Sequence, residues 1–460
     1  MTTDNRTVAA ISTPPGKGGV ALIRISGADA VDIVSKVFFP ESGRDLRSYR
    51  SRTAIYGEIR LDGAVIDDGI LTLFYAPGSY TGEDTAEICC HGGMLVTAKV
   101  LESCFAAGAY AAGAGEFTRR AFLNGKITLS EAEAIGDLLD AKTDAQLLLS
   151  RSGAGGRLSR KVEDIYAIMR EVAASVYVTV DYPEEDLGDL TVEEMRLALC
   201  SVEQELLSLA DGYKTARVIT EGVDTVIVGA TNTGKSSLYN TLSGEDLAIV
   251  TDIEGTTRDT LITEVSAGRV LLRLCDTAGI RKSTDTVEKI GIERSIEALC
   301  RASLVLCVFD GSRDIDDRDI EIIKRVKESG RCSVAIINKC DKTESSDMSV
   351  IYENFDNVVK MSAASGMGVD SLVTVIEGLF ISEKIDISRD AIISNSRQNG
   401  CVTAALGAVR DAIHALDTGM CTDMAACDIE RAMAMLCELD GQSVGEDITN
   451  EIFSKFCVGK

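Results

Sequence analysis

Tryptophan is absent from this chain, and histidine nearly so, with His91 and His414 the two present. Histidine-based acid–base or metal chemistry therefore has little material to work with. No CxxC pair occurs among the fourteen cysteines, which excludes a disulfide framework or structural zinc site and suits a reducing compartment. Basic charge is also scarce. Lys plus Arg number 47 against 72 Asp plus Glu, a formal net charge of −25, so a broad basic face for nucleic acid is excluded. Any nucleic acid would have to be held locally or through a partner. No apolar run approaches the roughly 18 to 20 residues that span a bilayer, and the start, MTTDNRTVAA, lacks the basic-then-apolar pattern of a leader, so the expected location is cytoplasmic. The five prolines (Pro14, Pro15, Pro40, Pro77, Pro183) all precede residue 184, and beyond it turns rely on glycine.

What is present points to several domains. A chain of 460 residues exceeds one core and predicts two to four. Residues 1–120 carry 12 Lys plus Arg against 14 Asp plus Glu, a net of −2, which leaves −23 for the rest. Short β-rich runs such as VALIRIS and ILTLFYA mark this nearly neutral part as a small α/β or α+β domain. From about Leu129 the pattern turns helical, in SEAEAIGDLLDAKTDAQLLL and VEEMRLALCSVEQELLSLA. It returns after Ile387, in CVTAALGAVRDAIHAL and DIERAMAMLCEL. Between these stretches, TVIVG, LLRLCD, LVLCVFD, SVAIIN and VVKMS alternate with helical text, which predicts a parallel sheet covered on both faces, inserted in a helical domain.

The first of these strands leads into Gly229-Ala-Thr-Asn-Thr-Gly234-Lys235-Ser236, a GxxxxGK[ST] phosphate loop in its strand-then-helix context. Backbone N–H groups of Asn232, Thr233, Gly234, Lys235, Ser236 and Ser237 are expected to cradle phosphates. Lys235 would reach the β- and γ-phosphates, and Ser236 would ligate Mg²⁺. Downstream lies DTAG (Asp276, Thr277, Ala278, Gly279), placed to hold Mg²⁺ through water and to sense the γ-phosphate. NKCD (Asn338, Lys339, Cys340, Asp341) follows. Its Asp341 can accept from the ring N–H and exocyclic amine of guanine, an edge adenine does not offer, so the nucleotide is expected to be GTP. Ser362 and Ala363 of MSAAS fall where a backbone N–H would meet the guanine oxygen. In TDIEGTTRDT (Thr251, Asp252, Ile253, Glu254, Gly255, Thr256, Thr257 and onward) a threonine must ligate Mg²⁺; Thr257 is selected, with Thr256 adjacent. The loop's other oxygens could take a further hard cation. Ile280 stands where Ras-like enzymes carry the water-orienting glutamine. Asp285, Glu288 and Glu293 are the substitutes at hand, with Glu288 best placed.

Taken together, TPPGKGGVALIRISG, SYTGEDTAEICCHGG, GEFTRRAFLNGKITLSEAEAI, DYPEED, AIVTDIEGTTRD and the terminal IFSKFCVGK resemble the hallmarks of the MnmE/TrmE family from Val8 to Lys460. Era-like GTPases share the G motifs but lack the other blocks. The resemblance implies a multidomain α/β plus all-α chain. An N-terminal folate-binding and dimerisation α+β domain (1–124) would be followed by a discontinuous helical domain (125–219 and 381–460) with a Ras-like P-loop G domain (220–380) inserted in it. It implies a homodimer, a complex with the FAD-binding MnmG/GidA protein, and addition of a carboxymethylaminomethyl-type group at the wobble uridine of certain tRNAs. It further implies potassium-stimulated hydrolysis of GTP, with K⁺ on Asn232, Thr251, Ile253 and Thr256 and Glu288 as the catalytic glutamate. For the N-terminal domain it implies a 5-formyl- or methylene-tetrahydrofolate donor bound by Arg24, Glu87, Lys126 and Lys460. Thr231 and Ala114 stand where the family commonly has proline, which touches loop rigidity rather than chemistry. A GTP-dependent RNA or ribosome assembly factor without modification chemistry is the alternative reading. In the tail, Ile448, Ile452 and Phe456 recur at helical spacing and predict docking. Cys457 is a candidate nucleophile or substrate-positioning thiol, against a plain buried cysteine.

Overall fold

The computed structural model describes residues 6–181, 190–244, 262–275, 299, 302–342, 347–382, 385–418, 422–443 and 445–460. They divide into two compact units: 1–139 with 153–203 and 400–460, and 140–152 with 204–399. Thr251 to Thr257, Asp276 to Gly279, Asp285, Glu288 and Glu293 lie outside the described residues.

In the first unit the strands are β1 (Val8–Ile11), β2 (Val20–Ser26), β3 (Phe38–Pro40), β4 (Ala54–Leu61), β5 (Ala64–Phe74), β6 (Thr85–His91) and β7 (Tyr110–Ala111). They form one sheet in the order β3-β4-β5-β6-β2-β1-β7, antiparallel except where β1 pairs with β7. Period-two alternation decides which face is covered. Ala21, Ile23 and Ile25 of β2 and Ala86, Ile88 and Cys90 of β6 are buried, in one core with Val31, Val34 and Val100 from the helices Ala30–Val37 and Met94–Ala106. Arg24 and Glu87, directly paired in the β2–β6 register, fall on the opposite face. The helical stretches from both ends of the chain meet in this unit. Val162, Ile165, Met169, Val172 and Val176 make a buried stripe on the helix Arg157–Asp181, and Ile429, Ala432, Leu436 and Leu439 make one on Thr422–Asp440. Ser130 Oγ donates to the Leu439 carbonyl at 3.0 Å, and Ser159 Oγ to Asp440 at 2.9 Å, closing the join with hydrogen bonds.

The second unit holds β8 (Val223–Val228), β9 (Ile262–Ala267), β10 (Val270–Cys275), β11 (Leu304–Asp310), β12 (Cys332–Asn338) and β13 (Val358–Lys360), ordered β13-β12-β11-β8-β10-β9. Every pairing is parallel except β9 with β10. β11 is buried along its whole length, as a strand covered on both faces requires. The five strands expected from the apolar runs are all present. β9 was not among them, because ITEVSA mixes charge into an edge strand; its signal is the two-residue turn Gly268-Arg269, with Gly268 at φ +62°. The helix Asp144–Ala154 belongs to this unit through residue 152. Its Ala145 and Leu149 join the core of β8, β10 and β11, and Gln146 Nε2 donates to the Ile219 carbonyl at 3.0 Å.

Candidate functional site

The phosphate loop leaves the C-terminal end of β8 and enters the helix Lys235–Leu242. Two of its glycines are required by space. A Cβ at Gly229 would collide with the Val308 carbonyl, and one at Gly234, whose φ is +97°, with Asn338 Nδ2. Asn232 and Lys339 adopt left-handed backbone conformations at φ 67° and 63°, so two of the few non-glycine residues held there lie in this one site. Lys235 Nζ donates to the carbonyls of Gly229 at 2.9 Å and Ala230 at 2.8 Å, and burial lowers its pKa. A phosphate arriving here would replace two carbonyl contacts with full charge pairing. Ser236 is exposed on the first turn of the helix, where its hydroxyl fits a hard cation beside the phosphates.

Asn338 joins the loops. Its Nδ2 donates to the Thr233 carbonyl at 2.9 Å, and its Oδ1 accepts the Ala363 N–H at 2.9 Å. Lys339 Nζ reaches the Asn232 carbonyl at 2.7 Å and Asp310 at 2.6 Å. NKCD thus works here as a brace for the phosphate loop. Asp341 is exposed, and its carboxyl is held below the usual range by the Ser362 side chain first. The Ser362 N–H donates to the Met367 carbonyl at 2.9 Å, so both N–H groups that the sequence offers to the guanine oxygen have partners within the protein. Ser237 is exposed and Thr233 buried, its hydroxyl donating to the Ala230 carbonyl at 3.0 Å.

A second cluster lies in the first unit. Arg24 pairs with Glu87 at 2.8 Å and stacks over the rings of Tyr80, 5.7 Å away, and Phe117, 5.5 Å away. Lys460 is near enough for burial and then the Arg24 charge to lower its pKa. Arg24 and Lys460 thus bring two side-chain cations into the neighbourhood of the Glu87 carboxylate. Lys126 is exposed and donates to the Pro77 carbonyl at 2.9 Å, at the start of the loop that carries Tyr80.

The tail reaches this cluster by backbone pairing. Gly115 N–H donates to the Cys457 carbonyl at 3.3 Å, Phe117 N–H to Lys460 at 3.0 Å, and Ser12 Oγ to the Gly459 carbonyl at 2.9 Å; Ala114 and Val458 form an antiparallel bridge. Gly459, at φ +101°, admits no Cβ against the Ile11 carbonyl. The spacing that predicted docking is corrected in one respect. Ile448 is exposed and Phe456 lies beyond the end of the helix Glu446–Ser454, but Ile452 and Phe456 both pack against the cluster of Leu129 and Ala132, whose buried anchor is Phe453, outside that series. Cys457 is exposed, so it is not a plain buried cysteine, and its backbone rather than its thiol makes the docking contact.

Sequence reading passed over the support beneath this cluster. Arg120, 3% exposed, binds Glu116 and Glu83, each at 2.9 Å, and donates to the Arg6 carbonyl at 2.9 Å, while Ser26 Oγ donates to Glu83 at 2.8 Å. Five donors in a rigid fork make arginine the residue for this position. The signal was the paired arginine of GEFTRR, four residues after a glutamate.

Two family models match the chain: MnmE helical domain over residues 129–457, and GTP-binding protein TrmE N-terminus over residues 7–126. A tRNA modification GTPase MnmE of Acetivibrio thermocellus is 39% identical over 458 residues, 99% of each chain, and that of Clostridioides difficile is 38% identical over 456 residues, again 99% of each. Among solved structures, Era of Aquifex aeolicus is similar over 40% of this chain and 66% of its own, at 24% identity and a TM-score of 0.28. With its TrmE-type N-terminal domain, helical domain and P-loop nucleotide site, the chain is a GTP hydrolase and belongs to the MnmE family of tRNA modification GTPases.

Proposed function

We propose that this protein couples potassium-stimulated GTP hydrolysis to carboxymethylaminomethyl-type modification of the wobble uridine of certain tRNAs, as a cytoplasmic homodimer acting with the FAD-binding MnmG/GidA protein. The observation that carries the reading is the pairing in one chain of a phosphate loop with a separate cationic cluster completed by the tail. The corresponding division is an N-terminal domain (1–124), a helical domain (125–219 and 381–460) and a G domain (220–380).

In the G domain, Lys235 and the N–H groups from Asn232 to Ser237 bind the phosphates, and Ser236 with Thr257 holds Mg²⁺. Thr251 to Thr257 and Asp276 to Gly279 serve the γ-phosphate, and Asn338, Lys339, Asp341, Ser362 and Ala363 serve the guanine. Asn232, Thr251, Ile253 and Thr256 would hold K⁺, which would supply positive charge beside the phosphates, and Glu288 orients the attacking water. In the N-terminal domain, Glu87, with Arg24 paired beside it, accepts from the pterin of a 5-formyl- or methylene-tetrahydrofolate, and Lys126 and Lys460 meet its glutamyl carboxylates. That molecule, when bound, supplies the one-carbon unit. Tyr80 and Phe117 hold Arg24 flat, and Cys457, exposed beside the docked tail, positions the substrate.

Nucleoside analysis of tRNA tests this reading. In a strain lacking the gene, and in one carrying Glu288→Ala, the modified wobble uridine should be lost, and the wild-type gene should restore it. Normal nucleosides in the deletion strain would reject the modification reading; normal nucleosides with Glu288→Ala alone would remove that residue from hydrolysis.

A further inference from the structure

Four of the ten residues 43–52, GRDLRSYRSR, are arginine, and no other ten-residue stretch of this acidic chain holds as many. They lie on the connection from β3 to β4, built around a single 3₁₀ turn at Leu46–Ser48. Buried Leu46 anchors it. The Gly43 N–H donates to the Pro40 carbonyl at 3.0 Å, Tyr49 N–H to Leu46 at 3.2 Å, and Arg52 N–H to Leu73 at 2.7 Å. The one acid of the stretch, Asp45, is occupied in accepting the Arg47 N–H at 2.9 Å. Arg47 pairs with exposed Asp32, and Arg52 donates to the Gly78 carbonyl at 2.9 Å. Arg44 and Arg50 are exposed, three residues to either side of Arg47, and among the described residues no carboxylate pairs with them.

A stapled loop that presents unpaired guanidinium groups loses little entropy on meeting an anion, and the planar fork suits phosphate oxygens. The composition of the loop separates two kinds of partner. Protein interfaces centre on aromatic or aliphatic anchors, but no large hydrophobic side chain of residues 41–52 is exposed. A nucleic-acid backbone needs none and is held by the cations alone. Residues 1–120, which carry this patch, have a net charge of only −2.

We propose that Arg44 and Arg50 form a phosphate-contacting patch for the backbone of RNA, the local basic surface that the net charge of the chain requires. The assignment rests on the tRNA reading above. The test is fluorescence anisotropy of labelled, unfractionated tRNA with the full-length protein across a KCl series. It compares wild type, Arg44→Gln/Arg50→Gln and Arg44→Lys/Arg50→Lys, with GTP hydrolysis measured alongside as a control for folding. Loss of two phosphate contacts should lower affinity about tenfold and flatten the slope of log K against log salt by about 1.4 to 1.8, while the lysine pair keeps most of both. Hydrolysis should be the same in all three. Unchanged affinity and slope in the glutamine pair would overturn the patch, as would wild-type protein that binds no tRNA. Unaltered tRNA binding with weakened capture of the flavoprotein partner would reassign the loop to a protein contact. The nucleoside analysis separates the failures: a modification that depends on the gene, with binding indifferent to the arginines, rejects the patch alone.

Discussion

The phosphate loop and the tail-completed cluster, each proposed to take an anion, are built in opposite ways. In the second unit the donors are backbone N–H groups along one continuous stretch, and glycines at 229 and 234 make room for neighbouring loops. In the first unit the charges are side chains brought from residues 24, 87 and 460, resting on Tyr80, Phe117 and the buried Arg120 network. A backbone site tolerates changes of side chain but not of local conformation. A side-chain site tolerates local change but depends on distant packing. The contrast predicts that each site fails under substitutions the other would survive.

The largest effect is expected at Arg120. Arg120→Ala removes a buried guanidinium and leaves half-buried Glu83 and Glu116 without their cation, and it should cost the first unit about 3 kcal/mol. Urea unfolding reads this, and GTP affinity of protein that remains folded should match wild type. A loss under about 1 kcal/mol would show that the carboxylates find other partners. At the nucleotide site, Gly234→Val combines a left-handed φ with a collision against Asn338, and GTP affinity should fall about a hundredfold, near 2.7 kcal/mol. Titration with a fluorescent guanine nucleotide measures it; affinity within twofold of wild type would mean that the loop relaxes freely. The smallest effect concerns protons. Lys460 loses its proton below the ordinary value of 10.5, because burial and Arg24 disfavour its charge, and an anionic folate favours that charge. Folate affinity should therefore fall as pH rises through the depressed pKa of Lys460, and Lys460→Arg, which stays protonated, should abolish the fall. Calorimetric titration of 5-formyltetrahydrofolate at neutral and alkaline pH decides this, and identical profiles for the two proteins would detach Lys460 from the ligand.

The two sites also differ in how far the sequence discloses them. A phosphate loop is legible because its glycines, lysine and serine have fixed spacing and its context is a strand and a helix. Five of the six strands around it announced themselves as apolar runs, most fully β11, which is covered on both faces. Of the two edge strands, β13 carries such a run and β9 escaped because charge interrupts it. In the first unit, Arg24, Glu87, Lys126 and Lys460 came from family resemblance, and spacing alone says nothing of residues that meet through a register and a docked tail. Phe453 was missed for a related reason. The helical stripe of the tail was taken through Phe456, two residues past the end of the helix at Ser454. Tyr80, Phe117, Arg120 and Glu83 lay within quoted blocks, but their roles come from contacts no local pattern encodes.

Ser12 and Gly459 are separated by 447 residues, and their hydrogen bond is one of those that bring Lys460 to the sheet. Because a chain emerges from the ribosome N-terminus first, β1 and β2 exist long before the segment that completes their cluster. All of the second unit is made in the interval. A product cut short between residues 399 and 457 would carry all of the second unit, yet would lack the lysine and the backbone ladder of the first unit. The tail-completed cluster therefore forms only after the tail has been made, and GTP binding alone does not report that it has formed.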